Sequence, residues 1–355
     1  MNRVQKILNK ANLGSNECII LSKPANIFYA SGYVGEGYAI LAEGLQAIVT
    51  DFRYTEQAMK EAPAFSIHEI KTGASHEYLM CELLKERNIT SVRYEDDYVT
   101  VAGFSKIQKA MPGIDFSPLC GVVELVRQIK DADEIALIER ACAISDEAFA
   151  YVLGEVKEGM TEIDLRLALE FKMYQLGAEE LAFPSIIASG KNGSLCHAIP
   201  STKKLEKGDM ITMDFGAKYG GYCADMTRTI ALGNPSDEMK KIYDTVLYAH
   251  ETAQSAVRAG LRGCDVDKIA RDIINNAGYE GCFGHGLGHS LGIDIHESPR
   301  FSVACDTVVE AGMFMTVEPG IYIPDLGGVR IENTVLVLEN GMRPITQSPK
   351  ELIII

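Results

Sequence analysis

The 355-residue sequence predicts two domains, a smaller α/β layer domain over residues 1–126 and a larger α+β domain over 127–355 that carries an internal pseudo-two-fold duplication. Three observations predict this. Before about Leu125, short apolar runs alternate with helical patterns. Farther along, the pattern Gly-x-x-x-Thr-x-acid-x-Gly occurs twice, at Gly208–Gly216 and at Gly312–Gly320, with Asp214 and Glu318 at the same point in it. Two glycine-bounded helical segments, Gly159 to Gly177 and Gly260 to Gly278, repeat at nearly the same offset.

In order along the chain, strands are expected at Glu17–Leu21, Tyr38–Leu41, Gln46–Thr50, Phe65–Ile70 and Ser91–Tyr94, from their β-branched and aromatic content. Helices are expected between them at Val4–Ala11, Tyr54–Glu61, Ser75–Glu86 and Val101–Ala110. The charged stretch from Arg127 to Glu134 reads as the junction, with the boundary between Val126 and Ala132, and leads into a long helix, Glu134–Val156. The larger domain then repeats one order of elements: a long helix (the second copy is Ser236–Ala259), a glycine-bounded helix, a histidine-containing loop and a hairpin. Thr161 and Asp265 are the expected N-caps, and the glycines after the helices suit left-handed C-caps.

The hairpins carry the chemistry. With Tyr219-Gly220 as a two-residue loop, Asp214 is expected directly opposite Asp225. With a loop at Pro324–Leu326, Glu318 falls opposite Glu332. Like charges facing each other destabilise a sheet, so two such pairs call for a cation. Carboxylates usually face water, but these are set among Ile211, Met213, Phe215, Met315, Val317, Val329 and Ile331. The segment HGLGHSLGIDIHESP holds His285, His289 and His296, three of only seven histidines, and His197 lies in the corresponding loop of the first half. One imidazole beside four carboxylates is a reasonable first-row metal set. Strand alternation puts Arg330 on the face of Glu332, where it would orient a carboxylate or bind substrate.

Composition narrows the partners. The balance of 34 basic to 49 acidic residues, net −15, argues against nucleic acid and anionic membranes. Nine cysteines without zinc-finger spacing read as reduced thiols, with Cys196 and Cys223 as small fillers near the site. No apolar run approaches the roughly 18 residues of a membrane span, and MNRVQKILNK has no apolar leader core. A soluble cytoplasmic protein is expected.

The ordered set Asp214, Asp225, His289, Glu318 and Glu332, carried in MDFGAKYGGYCADMTRT, HGLGHSLGIDIHESP, TVEPGIY and GGVRIEN, resembles the dinuclear site of the pita-bread metallopeptidases. The segments NIFYASG (from Asn26) and TDFRYTEQ (from Thr50), with the junction RQIKDADE (from Arg127), resemble the creatinase-type domain that precedes the catalytic domain in Xaa-Pro aminopeptidases and prolidases. The resemblance spans nearly the whole chain. Phe52, Asn333 and Asp294 depart from the usual Gly, Asp and Glu, and none of these removes a ligand.

The resemblance implies two divalent ions, Mn²⁺ foremost with Co²⁺ or Zn²⁺ as alternatives. Asp214 would be terminal, Asp225 and Glu332 bridging, and His289 with Glu318 would complete the second ion. A bridging water of lowered pKa would supply hydroxide, Glu318 would shuttle its proton, and His197 and His296 would bind substrate and stabilise the tetrahedral intermediate, with His285 shaping the pocket nearby. The implied activity is release of an N-terminal residue preceding proline, by a homodimer. The alternatives are a prolidase restricted to Xaa-Pro dipeptides, a non-catalytic peptide-binding module, and a metal-free C–N hydrolase of creatinase type.

Overall fold

The computed structural model describes residues 2–355, and their packing divides the chain between Arg127 and Gln128. In the first unit a six-stranded mixed sheet, Ser66–Glu69, Leu45–Thr50, Tyr38–Ala42, Glu17–Leu21, Ser91–Tyr94 and Asp115–Pro118 in spatial order, carries helices Arg3–Ala11, Thr55–Glu61, His76–Glu86 and Val101–Ala110. The expected strands and helices are all present, with ends differing by a few residues. Three elements escaped the sequence reading. Helix Pro24–Ser31 starts on a proline and stops at left-handed Gly32, both good boundary signals for a segment too short to show periodicity. Strand Asp115–Pro118 and helix Val122–Arg127 are shorter still.

In the second unit, helix Ala132–Val152 begins at a capping box in which Asp131 and Glu134 satisfy each other's backbone N–H. Thr161 and Asp164 form the same box at the start of helix Glu162–Gln175. The second copy differs: the N-cap of helix Gly263–Ile274 is Arg262, and Asp265 lies one turn inside it, bonded to the Arg262 guanidinium. The duplication explains this, since Asp265 corresponds to Asp164 and Arg262 to Thr161.

Each half builds its own apolar core, one around Phe149, Leu169 and Phe215, the other around Val246, Phe301 and Val335. Over these lie the sheets Ile186–Ser189, Met210–Phe215, Met226–Ala231 and, in the second half, Glu297–Phe301, Gly288–Ser290, Phe314–Val317, Asn333–Leu338, Gly341–Pro344.

The second hairpin keeps the expected register: Gly320 faces Arg330 and Val317 faces Asn333, so Glu318 and Glu332 fall at matching positions between the paired segments. The first does not. Tyr219 pairs with Tyr222, the turn is Gly220-Gly221, and Asp214 faces Thr227 instead of Asp225. Both turn glycines have positive φ, 56° and 78°. A two-residue type I′ turn needs that conformation at both positions, and Tyr219 would adopt it only under strain. Asp214 and Asp225 are therefore diagonal neighbours on one face.

Asp225 lies across from Gly216, where a Cβ would fall 1.8 Å from the Ala224 carbonyl oxygen. Gly216→Ala should destabilise the protein by about 3 kcal/mol, through backbone displacement beside the site. A denaturant midpoint equal to that of the parent would show that the strand yields freely.

Candidate metal centre

The two hairpins and the histidine loop converge on a cavity of about 320 Å³, lined by Asp214, Asp225, His289, Glu318 and Glu332 together with His197, His285, His296 and Arg330. All nine residues singled out in the sequence thus border one space. Ligand atoms of Asp225, His289 and Glu332 lie within 4.8 Å of one another. The His289 Nε2 atom is 3.4 Å from Glu318 Oε1 and 3.5 Å from Asp225 Oδ2.

The proton on His289 follows from its other nitrogen. Nδ1 lies 3.1 Å from the Ser290 carbonyl, which can only accept, so Nδ1 carries the hydrogen. Burial, with His296 nearby, pushes the ring's pKa down to about 3. The ring is neutral, and its Nε2 lone pair faces two carboxylate oxygens. A register shift between His289 and Ser290 aims the ring there.

Burial first, and then repulsion from neighbouring carboxylates, chiefly Glu332 on Asp225 and Glu318 with Asp214 on Glu332, hold the carboxyls of Asp225 and Glu332 well above the usual range, and burial raises that of Glu318. Asp214 Oδ1 and Glu332 Oε1 are buried with no hydrogen-bond partner. Their other oxygens are held, Asp214 Oδ2 by Arg330 Nη2 at 2.6 Å and Glu332 Oε2 by Thr227 Oγ1 at 2.7 Å. Unpartnered oxygens and an imidazole lone pair on residues that line one space are a donor set for a hard or borderline divalent cation, and the residues fit such an ion.

Arg330 spans the wall. Besides Asp214 it donates to Thr227 Oγ1 (3.1 Å), the Cys196 carbonyl (3.3 Å) and Tyr322 Oη (2.8 Å). Tyr322 Oη in turn lies 2.8 Å from His285 Nε2, and His285 Nδ1 lies 2.8 Å from the Gly286 carbonyl. Because that carbonyl takes the Nδ1 hydrogen, Nε2 accepts from the tyrosine; burial, which lowers the His285 pKa to about 4, keeps the ring neutral. His285 is thus locked into the wall, whereas the His296 ring packs edge-on to His289 with centroids 4.5 Å apart.

Sequence reasoning missed Tyr322, Thr227 and Arg300. Thr227 had a signal, since it lies two residues from Asp225 on the same face. Tyr322 lies in the TVEPGIY segment four residues from Glu318, but its partners His285 and Arg330, 37 and 8 residues away, could not be read from spacing. Arg300 lines the cavity with no hydrogen-bond or ion-pair partner for its guanidinium among the described residues. Cys223 is buried with its Sγ against the Ile293 carbonyl, and Cys196 reaches the cavity lining.

The model of metallopeptidase family M24 matches residues 136–339, and that of the creatinase/prolidase N-terminal domain matches residues 1–129. The Xaa-Pro dipeptidase of Pyrococcus furiosus is 36% identical over 353 residues, covering 99% of each chain. Among solved structures, an Xaa-Pro dipeptidase from Bacillus anthracis superposes with a TM-score of 0.95 at 39% identity, covering 99% of both chains. An X-Pro aminopeptidase from Thermotoga maritima superposes with a TM-score of 0.92 at 34% identity, covering 98% of this chain and 100% of that one.

Proposed function

The chain belongs to metallopeptidase family M24, with a creatinase-type N-terminal domain and a pita-bread catalytic domain, and on that premise we propose that it cleaves the bond between an N-terminal residue and a following proline. The observation that carries the proposal is the neutral His289 Nε2 facing two carboxylate oxygens at 3.4 and 3.5 Å in a cavity also lined by Asp214 and Glu332, each of which has one buried oxygen without a hydrogen-bond partner. Asp214, Asp225, His289, Glu318 and Glu332 would hold a pair of divalent ions. When bound, such a pair lowers the pKa of a shared water toward neutrality and polarises the scissile carbonyl.

The protein's own groups do the rest. Glu318 takes the proton of the attacking water and delivers it to the leaving prolyl nitrogen. His197 and His296 border the space in which the carbonyl oxygen becomes anionic, and hydrogen bonds from them stabilise that charge. Arg330 fixes Asp214 and, through Tyr322, the His285 wall. An Xaa-Pro bond offers no N–H; preference for it is supported by the names of the relatives above.

Restriction to dipeptides is a second reading, and Arg300 favours it: an uncommitted cation in the cavity suits the carboxylate of a two-residue substrate. Hydrolysis of Gly-Pro and Arg-Pro-Pro, with and without Mn²⁺ after chelation, tests both. Cleavage of the tripeptide only with metal establishes the aminopeptidase, cleavage of the dipeptide alone the prolidase, and cleavage of neither overturns the proposal. Mn²⁺ as the working ion and a homodimeric assembly belong to the same proposal, and so does a reducing compartment such as the cytoplasm, supported by nine unpaired cysteines.

Because Asp225, Glu318 and Glu332 are held above the usual carboxylate range, ion binding to the chelated protein should release protons. Apparent Mn²⁺ affinity should therefore weaken as pH falls from about 8 to 6. Calorimetric titration at several pH values checks this, and a flat profile would count against the ligand set.

A further inference from the structure

Glu162 is fully buried, yet no basic side chain lies within ion-pair distance of it among the described residues. Its oxygens are instead filled by the two ends of one loop. Oε1 accepts from the Ser189 N–H at 2.7 Å and the Ser189 hydroxyl at 2.8 Å, and Oε2 from the Ser201 N–H at 3.0 Å and the Ser201 hydroxyl at 2.7 Å. The Asn192 amide bridges both oxygens at 3.1 and 3.2 Å. Between these anchors runs the segment that carries His197 into the cavity.

A carboxylate without a counter-ion is costly to bury unless its hydrogen bonds are complete. Here they are complete, and they come from the loop alone. Glu162 is the first residue of its helix, which Thr161 and Asp164 cap, so the anchor sits on a rigid element and at the favourable end of the helix dipole. The middle of the loop is located separately, by Arg330 donating to the Cys196 carbonyl and by Gly193 packed backbone to backbone on Gly328. The ends have Glu162 together with the sheet pairing of Ser189 to Ile211 and the backbone pairing of residues 201–205 to residues 159–163.

The second half meets the same need differently. The position equivalent to Glu162 is Gly263, where a Cβ would lie 2.2 Å from the Arg300 carbonyl oxygen. The loop leading to His289 is held by Asp267, which accepts from the Leu287 N–H at 3.0 Å and pairs with Arg271, itself bonded to the carbonyls of Phe283 and His285. Each histidine loop thus has a buried acid on the helix that precedes it.

We propose that Glu162 is the positioning residue of the first-half loop, fixing where His197 enters the cleft by binding both ends of the segment from Ser189 to Ser201. This rests on the reading of His197 as a substrate-contacting group. Its test has two arms.

In the first, Glu162→Gln keeps the volume but turns an amide NH₂ toward backbone N–H donors. Amide exchange across residues 189–201 should quicken about tenfold or more, while strand Met210–Phe215 stays protected. Unchanged exchange in the loop overturns the proposal whatever the protein hydrolyses. In the second arm, Mn²⁺-loaded Glu162→Gln should lose kcat/KM on an Xaa-Pro substrate by about a hundredfold, the scale of a misplaced group. The double variant with His197→Ala should then be no worse than His197→Ala alone, whereas multiplied losses would show that Glu162 acts elsewhere. If the parent cleaves no Xaa-Pro peptide, the functional reading fails and the exchange arm alone decides. Should Glu162→Gln not fold, Ser201→Ala removes one donor and keeps the carboxylate; faster exchange confined to the loop supports the proposal, and none overturns it.

Discussion

Replacing Glu318 with Gln should lower kcat/KM on an Xaa-Pro peptide by about a thousandfold while leaving the fold intact, which is the scale expected when a general acid–base group is removed. The change is isosteric. Thr316 Oγ1, 3.2 Å from Glu318 Oε1, keeps an acceptor, and the backbone N–H of Glu318 stays bonded to the Leu287 carbonyl. Lost are an oxygen 3.4 Å from His289 Nε2, proposed as a metal ligand, and with it the group proposed to move the proton. Since Glu318 also adds to the crowding of negative charge that raises Asp225 and Glu332, the chelated variant should unfold no earlier than the chelated parent. Normal turnover would remove Glu318 from the mechanism. Early unfolding of the chelated variant would mean that the carboxylate holds the hairpin.

Arg330→Met should cost about 3–5 kcal/mol of stability and leave little activity, because it strands Asp214 in a buried site with neither oxygen paired. It also takes donors from Tyr322, Thr227 and the Cys196 carbonyl. Arg330→Lys separates charge from geometry. An ammonium can meet Asp214 but has no planar fork to reach the other three partners as well. Its stability should lie between those of parent and Met variant, and its kcat/KM should fall at least about tenfold as the His285 wall loosens. Unchanged kcat/KM in the lysine variant would reduce Arg330 to a counter-charge.

How much of the site was legible depends on where its information lies. Asp214 and Glu318 could be paired because the duplication left one pattern in both hairpins, and the second hairpin's register could be counted because Pro324–Leu326 marks its turn without ambiguity. The first hairpin offered a choice of turn, and φ, which no spacing rule contains, selected Gly220-Gly221. Asp265 misled for a related reason: a residue type favoured at N-caps also serves at the third helical position, and only the match to Asp164 tells the two apart.

The sequence by itself determined the two-domain order, the duplication and the identity of the residues bordering the cavity, because alternation, glycine spacing and recurrent acids are local patterns. Tertiary structure decided which oxygens stay unpartnered, which imidazole nitrogen carries a hydrogen, and that Tyr322, Arg300 and Glu162 take part. Those facts are set by contacts between residues far apart in the chain, such as Arg330 with Asp214 or Glu162 with Ser201. A buried polar group acquires its partners only when the chain closes around it, so its role is a property of the packed interior and leaves no periodicity in the sequence.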